Sequence, residues 1–535
     1  MTSSRLPASA LLDRFTELAG EHPERPAFVV ADPDGDEIVF TFADLVASAH
    51  RLADALKDAG VGPGDVVVLA PQNHPGYLGL VLGTWWAGAA VLPISPSFTG
   101  EDSGLLLDVV AARLGRPVLV DVRAHARYGT LVLDAGPAAT FTLHGDLPPR
   151  RPPTTAEQPY LFMTSGGTTG LPKIMPYPLR WVGNARTPYA NAGLGNQSGE
   201  AVGGRTRLIC GSLHHTGNFT VAVHVLLTGS SVIVMTRFDA ALACDLLRRH
   251  DVYSLGLTPY YMMLILGLPD LDRRVFDGVV RITHGAAPCP HWVKQAWIDL
   301  VGPDRIFEVY YSAELGGAGR PTIASGTEWC KKPGTVGRVE NVRILDERGQ
   351  DVPPGVVGEI YTAQTYGQAH GYVGERELRH APDDASYVSV ADLGWLDDDG
   401  YLFLADRMSE VLEIDGARIY PSRIEETIGA HPLVADVAVV GLTGEDGQPY
   451  VHALIERVLR RPAGGPDDGP PAADVVELTA DAVRQWCADR LAAVEIPTVV
   501  QFTSHLPRTA EGKMRRSVVR QMSQAATTDP ATTDR

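Results

Sequence analysis

The chain has 535 residues, 44% apolar and 21% charged, which is more than one hydrophobic core usually supports, so at least two ordinary soluble domains are expected. A formal net charge of −18 and a pI near 5.3 make a field that repels nucleic acid and anionic membrane; neither is expected as a partner, and any anionic ligand must be held by local positive groups. Cys210, Cys244, Cys289, Cys330 and Cys487 lie far apart with no Cys-x-x-Cys, which argues against a zinc site or a disulfide framework and for reduced thiols.

The opening MTSSRLPASALLDRF lacks the long apolar core of a signal peptide, so the expected address is cytoplasmic. In DLVASAHRLADALKDAG, Leu45, Ala49, Leu52 and Leu56 recur at helical spacing and Gly60 closes the end. The uncharged run from Tyr77 to Ile94 contains glycines, a Trp pair and Pro93, and reads as a buried helix leading into a buried strand rather than a membrane span. Short runs VVVLA (66–70), VLVDV (118–122), SVIVM (231–235) and VVRIT (279–283) alternate with longer helix-like stretches such as DAALACDLLRRHD near Asp239. That alternation predicts parallel sheets covered by helices. After Arg407 the pattern shifts to a smaller α+β unit. Within it, the Pro/Gly/Asp-rich stretch 460–474 reads as a flexible surface loop, and the last residues as a disordered tail. The expected division is 1–407, 408–522 and a tail over 523–535.

The most informative segment is FMTSGGTTGLPK (162–173). Successive glycines let backbone N–H groups converge on an anion, the Ser and Thr hydroxyls add donors, and Lys173 supplies a point charge. Leu171 and Pro172 separate Gly170 from Lys173, so this is not a Walker A loop, and a P-loop NTPase is disfavoured. Standing alone, the segment could be a polar loop with no ligand. LPRTAEGKMRR (506–516) again presents one lysine, Lys513, on a Gly-containing turn. With only six lysines in the chain, two in such settings point to nucleotide chemistry.

Further segments follow in order: FTFADL (40–45), GVGPGDVVVLAPQN (60–73), WAGAAVLPISP (86–96), SLHHTGNF (212–219), THGAAP (283–288), YYSAE (310–314), GEIY (358–361), ADLGWLDDDGYLFLADR (391–407) and IYPSRIE (419–425). Over nearly the full length, this series resembles the adenylate-forming (ANL) superfamily, in its branch of acyl-CoA synthetases and aryl-acid–AMP ligases. The resemblance implies an α/β fold. A large N-terminal domain of helix-covered, mainly parallel sheets would carry ATP and acid, and a small mobile α+β C-terminal domain would carry the catalytic lysine. It also implies ATP-dependent conversion of a carboxylic acid to an acyl-adenylate with loss of pyrophosphate, Mg²⁺ to offset phosphate charge, and transfer to the thiol of CoA.

By the same resemblance, Thr164, Ser165, Gly166, Gly167, Thr168, Thr169 and Gly170 would hold the leaving phosphates, with Lys173 closing the loop. Gly285, Ala286 and Ala287 would line adenine and Tyr310 would stack on it, within a segment continuing through Tyr311, Ser312 and Ala313 to Glu314, the Mg²⁺ ligand. Asp392 and Arg407 would reach the ribose. Lys513 would be the catalytic lysine, assisted by Arg407 and His215, and His214, His215, Gly285, Val309 and Tyr311 would border the acyl pocket. The small domain would swing about a hinge at Ser409, exchanging the lysine face for one that guides the thiol.

Four positions depart from the family pattern. Tyr311 stands where glycine is usual, adding bulk near adenine and acid. Ala391 replaces the glycine before the ribose aspartate, Asp415 replaces the first of a glycine pair on the thiol-side face, and Ser409 takes a place usually held by Asp or Lys. On the acceptor, the doubled glycine of TSGGTTG with the following KIMP resembles aryl-acid ligases that load a carrier protein. LHHTGNF and EWCKKPGTVGR (328–338) resemble acyl-CoA synthetases, and CoA is favoured. A nucleotide-binding regulator without turnover is a further alternative, against which the retention of Lys173 and Lys513 speaks. Six lysines among 46 basic residues suggest a GC-rich genome and a specialised bacterial pathway, with a bulky cyclic or aromatic acid as the expected substrate. A carrier protein and a second copy of the chain are left open as partners.

Overall fold

Val- and Ile-rich runs that are apolar on both sides form strands with both faces covered, and the two largest sheets are built from such strands. The computed structural model describes residues 8–70, 73–96, 101–121, 130–133, 141–144, 147, 161–164, 173–177, 204–312, 315, 321–364, 371–373, 378–457, 478–509 and 511–527. In the first sheet, Ile306–Tyr310, Arg281–Gly285, Val252–Leu257, Thr206–Ile209, Ser231–Met235 and Pro26–Ala31 lie parallel, with Thr322–Ser325 and Glu37–Thr41 antiparallel at the edges. In the second, Thr130–Leu133, Arg116–Asp121, Asp65–Leu69, Ala90–Pro93 and Leu161–Thr164 are parallel, flanked by antiparallel Phe141–His144 and Ile174–Tyr177.

Side chains alternate across each strand, which assigns residues to separate cores. Phe28 and Val30 join a core that also takes Val67, Leu69 and Val91 of the second sheet, with the helices Phe42–Asp58, Tyr77–Trp86 and Thr216–Leu227 packed into it. Val29 and Ala31 point the other way, onto the helices Ala240–Arg249, Pro259–Leu266 and His291–Val301. Phe42–Asp58 starts at a capping box between Thr41 and Asp44 and buries Leu45, Ala49, Leu52 and Leu56, the predicted stripe. The uncharged run is the buried helix Tyr77–Trp86 followed by the buried strand Ala90–Pro93. Among the described residues, no helix is long and apolar enough to cross a membrane.

A five-stranded antiparallel sheet, ordered Thr335–Arg338, Tyr401–Arg407, Tyr387–Leu396, Gly358–Ala363 and Val342–Leu345, packs against the end of the first sheet through Tyr310 and Tyr311. Beyond Arg407 come the hairpin Leu412–Ile414 with Ala417–Ile419, and the sheet Val434–Thr443, Pro449–Arg457 and Val499–Thr503. The helices Pro421–Gly429 and Ala480–Ala488 contribute Ile424, Ile428, Val483 and Cys487 to the core on one side of that sheet. The architecture is thus α/β with large parallel sheets and a smaller α+β unit, as expected. One difference concerns the C-terminus. The helix Arg516–Thr527 continues through residues 523–527, expected in the tail, because Val519 and Met522 pack on Ala438, Val440 and Leu454 and Ser523 is buried beside them. Residues 528–535 and the loop 460–474 lie outside the described residues.

Candidate functional site

Three of the predicted residues converge beside the five-stranded sheet. Asp392 and Arg407 are cross-strand partners in an antiparallel pair, so their side chains share one face. Arg407 Nε lies 3.3 Å from Asp392 Oδ1, and the Tyr310 hydroxyl donates to Asp392 Oδ2 at 2.8 Å. Asp392 is nearly buried whereas Arg407 is largely exposed, so the carboxylate is held in place while the guanidinium faces outward. Gly285 and Val309 are register partners, and a Cβ on Gly285 would meet the Val309 carbonyl oxygen at 2.4 Å, so only glycine allows this approach. Behind these strands, Lys294 is fully buried and bonds Glu308 at 2.6 Å, which makes that lysine a structural one.

A second group forms where the lobes meet. Thr509 and Lys513 close a tight turn: Thr509 N–H donates to Lys513 O at 2.9 Å, Lys513 N–H to Thr509 Oγ1 at 3.2 Å and Gly512 N–H to Thr509 O at 2.9 Å. Arg508 braces it, donating to Gly512 O at 2.6 Å and to Asp436 Oδ2 at 2.7 Å. Gly512 has φ +81°, and a Cβ there would sit 2.3 Å from Cβ of Tyr260 in the large lobe, so glycine serves both the left-handed turn and the close contact. Glu511, buried, accepts from Ser212 Oγ at 2.8 Å and lies 3.1 Å from His215 Nε2. His214 Nε2 is 3.7 Å away, and the two imidazole rings are 4.3 Å apart. Burial, with His215 alongside, pushes the His214 imidazole down to about 3, so it is neutral at ordinary pH. Burial alone would raise the Glu511 carboxyl, but the facing His215 imidazole and the hydrogen bond from Ser212 hold it well below the usual carboxylate range.

The remaining predicted residues stand as follows. Thr164 ends Leu161–Thr164 and pairs with Ile174 across the edge of the second sheet, so the two flanks of the Gly/Thr segment are neighbouring strands. Lys173 Nζ lies 4.6 Å over the Tyr372 ring. Ser165, Gly166, Gly167, Thr168, Thr169 and Gly170 lie outside the described residues, as do Ala313 and the expected metal ligand Glu314. Ser312 is buried and Tyr311 half-buried against the five-stranded sheet. Ser409 is exposed in a turn in which Glu410 N–H donates to Arg407 O at 2.9 Å. Among the described residues, His214, His215 and Glu511 are the one trio of such side chains grouped closely enough to hold a metal ion, their ligand atoms lying within 4.8 Å of one another.

Among the described residues, three non-glycine residues have left-handed backbone: Ala286 (φ 70°), Ala391 (φ 58°) and Asp415 (φ 52°). Two of these are the departures from glycine noted in the sequence, so the glycine-type turn is kept and the side chain carries the strain. Sequence reasoning missed Glu511 and Asn73. Buried Asn73 donates to Gly211 O at 3.2 Å and Met235 O at 2.8 Å and accepts from Leu213 N–H at 2.8 Å, which fixes the segment leading to His214. Asn73 closes the quoted segment 60–73, but nothing local marks its partners, which are 138 to 162 residues away.

Comparison with known proteins bears on the family and the fold. The family model described as AMP-binding enzyme matches residues 15–373, and that described as AMP-binding enzyme C-terminal domain matches 423–513. The chain is 26% identical to the fatty acid–[acyl-carrier-protein] ligase ScoC of Streptomyces coeruleorubidus, covering 90% of this chain and 91% of that protein. It is 27% identical to the indoleacetate–CoA ligase of Aromatoleum aromaticum, with 94% and 96% covered. Its fold matches the O-succinylbenzoate coenzyme A synthetase MenE of Bacillus subtilis in complex with AMP, with a TM-score of 0.75, 21% identity and 94% and 97% of the two chains covered.

Proposed function

Because the chain belongs to the AMP-binding enzyme family, we propose that it activates a carboxylic acid with ATP and passes the acyl group to the thiol of CoA. A carboxylate is a poor electrophile. In the first step its oxygen attacks the α-phosphorus of ATP, the bond to the β-phosphate oxygen breaks, and pyrophosphate leaves. In the second, a thiolate attacks the acyl carbonyl of the adenylate and AMP departs. Tyr310 would meet adenine, and Asp392 with Arg407 the ribose, since a held carboxylate accepts two hydroxyl hydrogens and the exposed guanidinium adds donors at the rim. Lys513 would place its charge between the acid and the α-phosphate, where a preorganised cation opposes the charge that builds up in the transition state. Thr164 with residues 165–170 and Lys173 would take the leaving phosphates. Glu314 would hold Mg²⁺, which when bound offsets their negative charge.

The observation that carries this reading is the seating of the Lys513 turn on the segment of His214 and His215, which brings the small lobe's lysine to the large lobe. Acid-dependent exchange of labelled pyrophosphate into ATP, screened over a carboxylic-acid panel, tests it; no exchange with any acid would defeat it. A bulky cyclic or aromatic acid is expected to emerge. For the acceptor, a cavity of about 230 Å³ lined by Asn73, Ser212, Arg237, Phe238 and Tyr260 adjoins the same turn, and Arg237 gives it a cation suited to the phosphates of CoA. The likeness to ScoC, named as an acyl-carrier-protein ligase, supports a second reading in which a carrier's phosphopantetheine is loaded. Offering the acid, ATP and Mg²⁺ with either free CoA or a phosphopantetheinylated carrier decides between them by which thiol is acylated.

A further inference from the structure

We propose that Glu511 is a positioning residue, a clasp that holds the Lys513 turn on the large lobe for adenylate formation and releases it for thioester formation. The inference rests on the reading above, since it assigns a role within the same two steps. Its basis is a contact between residues 299 positions apart: Glu511 Oε1 accepts from Ser212 Oγ at 2.8 Å while Oε2 faces His215 Nε2 at 3.1 Å. One carboxylate oxygen is thereby hydrogen-bonded to Ser212 while the other faces the His215 imidazole at ion-pair distance, with His214 3.7 Å from the carboxylate.

The turn transmits this hold to the lysine. Glu511 lies two residues before Lys513, and Thr509, Arg508 and Gly512 lock the intervening backbone by the bonds already described. Fixing the Glu511 carboxylate therefore fixes where the Lys513 backbone begins, while Gly512 lies flush on Tyr260. The contact of His291 N–H with Glu426 Oε1 at 3.0 Å, also across the lobes, is exposed and competes with water. The Glu511–Ser212 contact is buried on both sides, so water competes with it far less. It is also reversible: a carboxylate that swings out regains its hydration, whereas an apolar plug of the same size would resist leaving. His215, at the acyl pocket, loses its partner in the same motion, which couples lid release to the face that the thiol must reach.

The test uses the full chain and two variants, Glu511→Gln, which keeps the shape and the Ser212 contact but removes the charge, and Glu511→Ala. Adenylation is read by pyrophosphate exchange, and the second step by thioester formation from a chemically prepared acyl-adenylate and CoA. Loss of one charge-assisted buried hydrogen bond corresponds to roughly tenfold to a hundredfold. The expected result is a fall of that size in kcat for exchange, with the KM for acid and ATP little changed and the thioester step unchanged or faster. Equal loss in both steps, or no loss in either, would overturn the clasp. Trypsin cleavage after Arg407 or Arg418 gives a readout that needs no substrate: faster cleavage in Glu511→Gln than in the parent chain is expected, and an unchanged rate counts against the proposal. A parent chain without acid-dependent exchange would instead defeat the functional reading itself, so the two failures are told apart.

Discussion

The two halves of the site are joined to the molecule in different ways. Asp392 and Arg407 are neighbours through strand register, with Tyr310 packed on the same sheet's core, so this group cannot come apart without tearing backbone hydrogen bonds. The Lys513 turn reaches the large lobe through side chains and one glycine contact rather than through strand register. On the proposed two-step reading, the part that stays put is built into a sheet and the part that moves is held to it by side chains.

The strongest way to sharpen that contrast is Lys513→Ala. Adenylate formation should fall by about a hundredfold or more, the scale of a preorganised charge in a water-poor site, while thioester formation from premade adenylate persists. Equal loss of both half-reactions would show that the two groups do not act separately. Acid stability probes the two lobes independently. Burial pushes His224 of the large lobe and His452 of the small lobe each down to about 4, so both stay neutral when folded. The unfolded chain takes up these protons from about pH 6.5 downward and the folded one does not, so stability is full above that pH and is lost as pH falls toward 4. By pH 5 each histidine should cost about 2 kcal/mol. Melting curves between pH 7 and pH 5 should flatten for the large lobe in His224→Gln and for the small lobe in His452→Gln.

Asp392→Ala should raise the KM for ATP by about tenfold, the worth of a charged hydrogen bond, and leave the KM for the acid alone. A shift in both would show that the strand-built group also positions the acid. The smallest effect is expected from Ala391→Gly, which relieves a left-handed alanine beside Asp392. Left-handed strain of about 1–2 kcal/mol is mostly offset by the greater freedom of glycine in the unfolded chain, leaving a gain on the order of 0.5 kcal/mol in thermal melting. Asp415→Gly should gain less, because aspartate tolerates this conformation better than alanine.

The strands of the large sheets were legible because residues 66–69 and 232–235 are apolar at every position, as strands covered on both faces must be. Tyr310, Asp392, Arg407 and Lys513 were legible as short segments of characteristic chemistry in a recognisable order. Glu511 was not, although it sits inside a quoted motif, because a glutamate on a lysine turn is ordinarily a solvated charge and its partners are far away in the chain. Ala391 and Asp415 were visible as odd residue types, but only backbone angles reveal that the turn beneath them is unchanged. The end of the last helix was misread for a similar reason: SQAATTDP is polar and weakly periodic, yet Ser523 is buried by the sheet it lies on.

Residue order alone therefore determined the parallel α/β architecture, the small second unit and the identity of the charged and aromatic groups available for nucleotide chemistry, because periodicity and local turn chemistry act over a few residues. Tertiary structure decided which of those groups touch. That Glu511 meets Ser212 and His215 depends on how two separately folded cores dock, and burying a carboxylate is favourable only where distant donors happen to be in place to receive it.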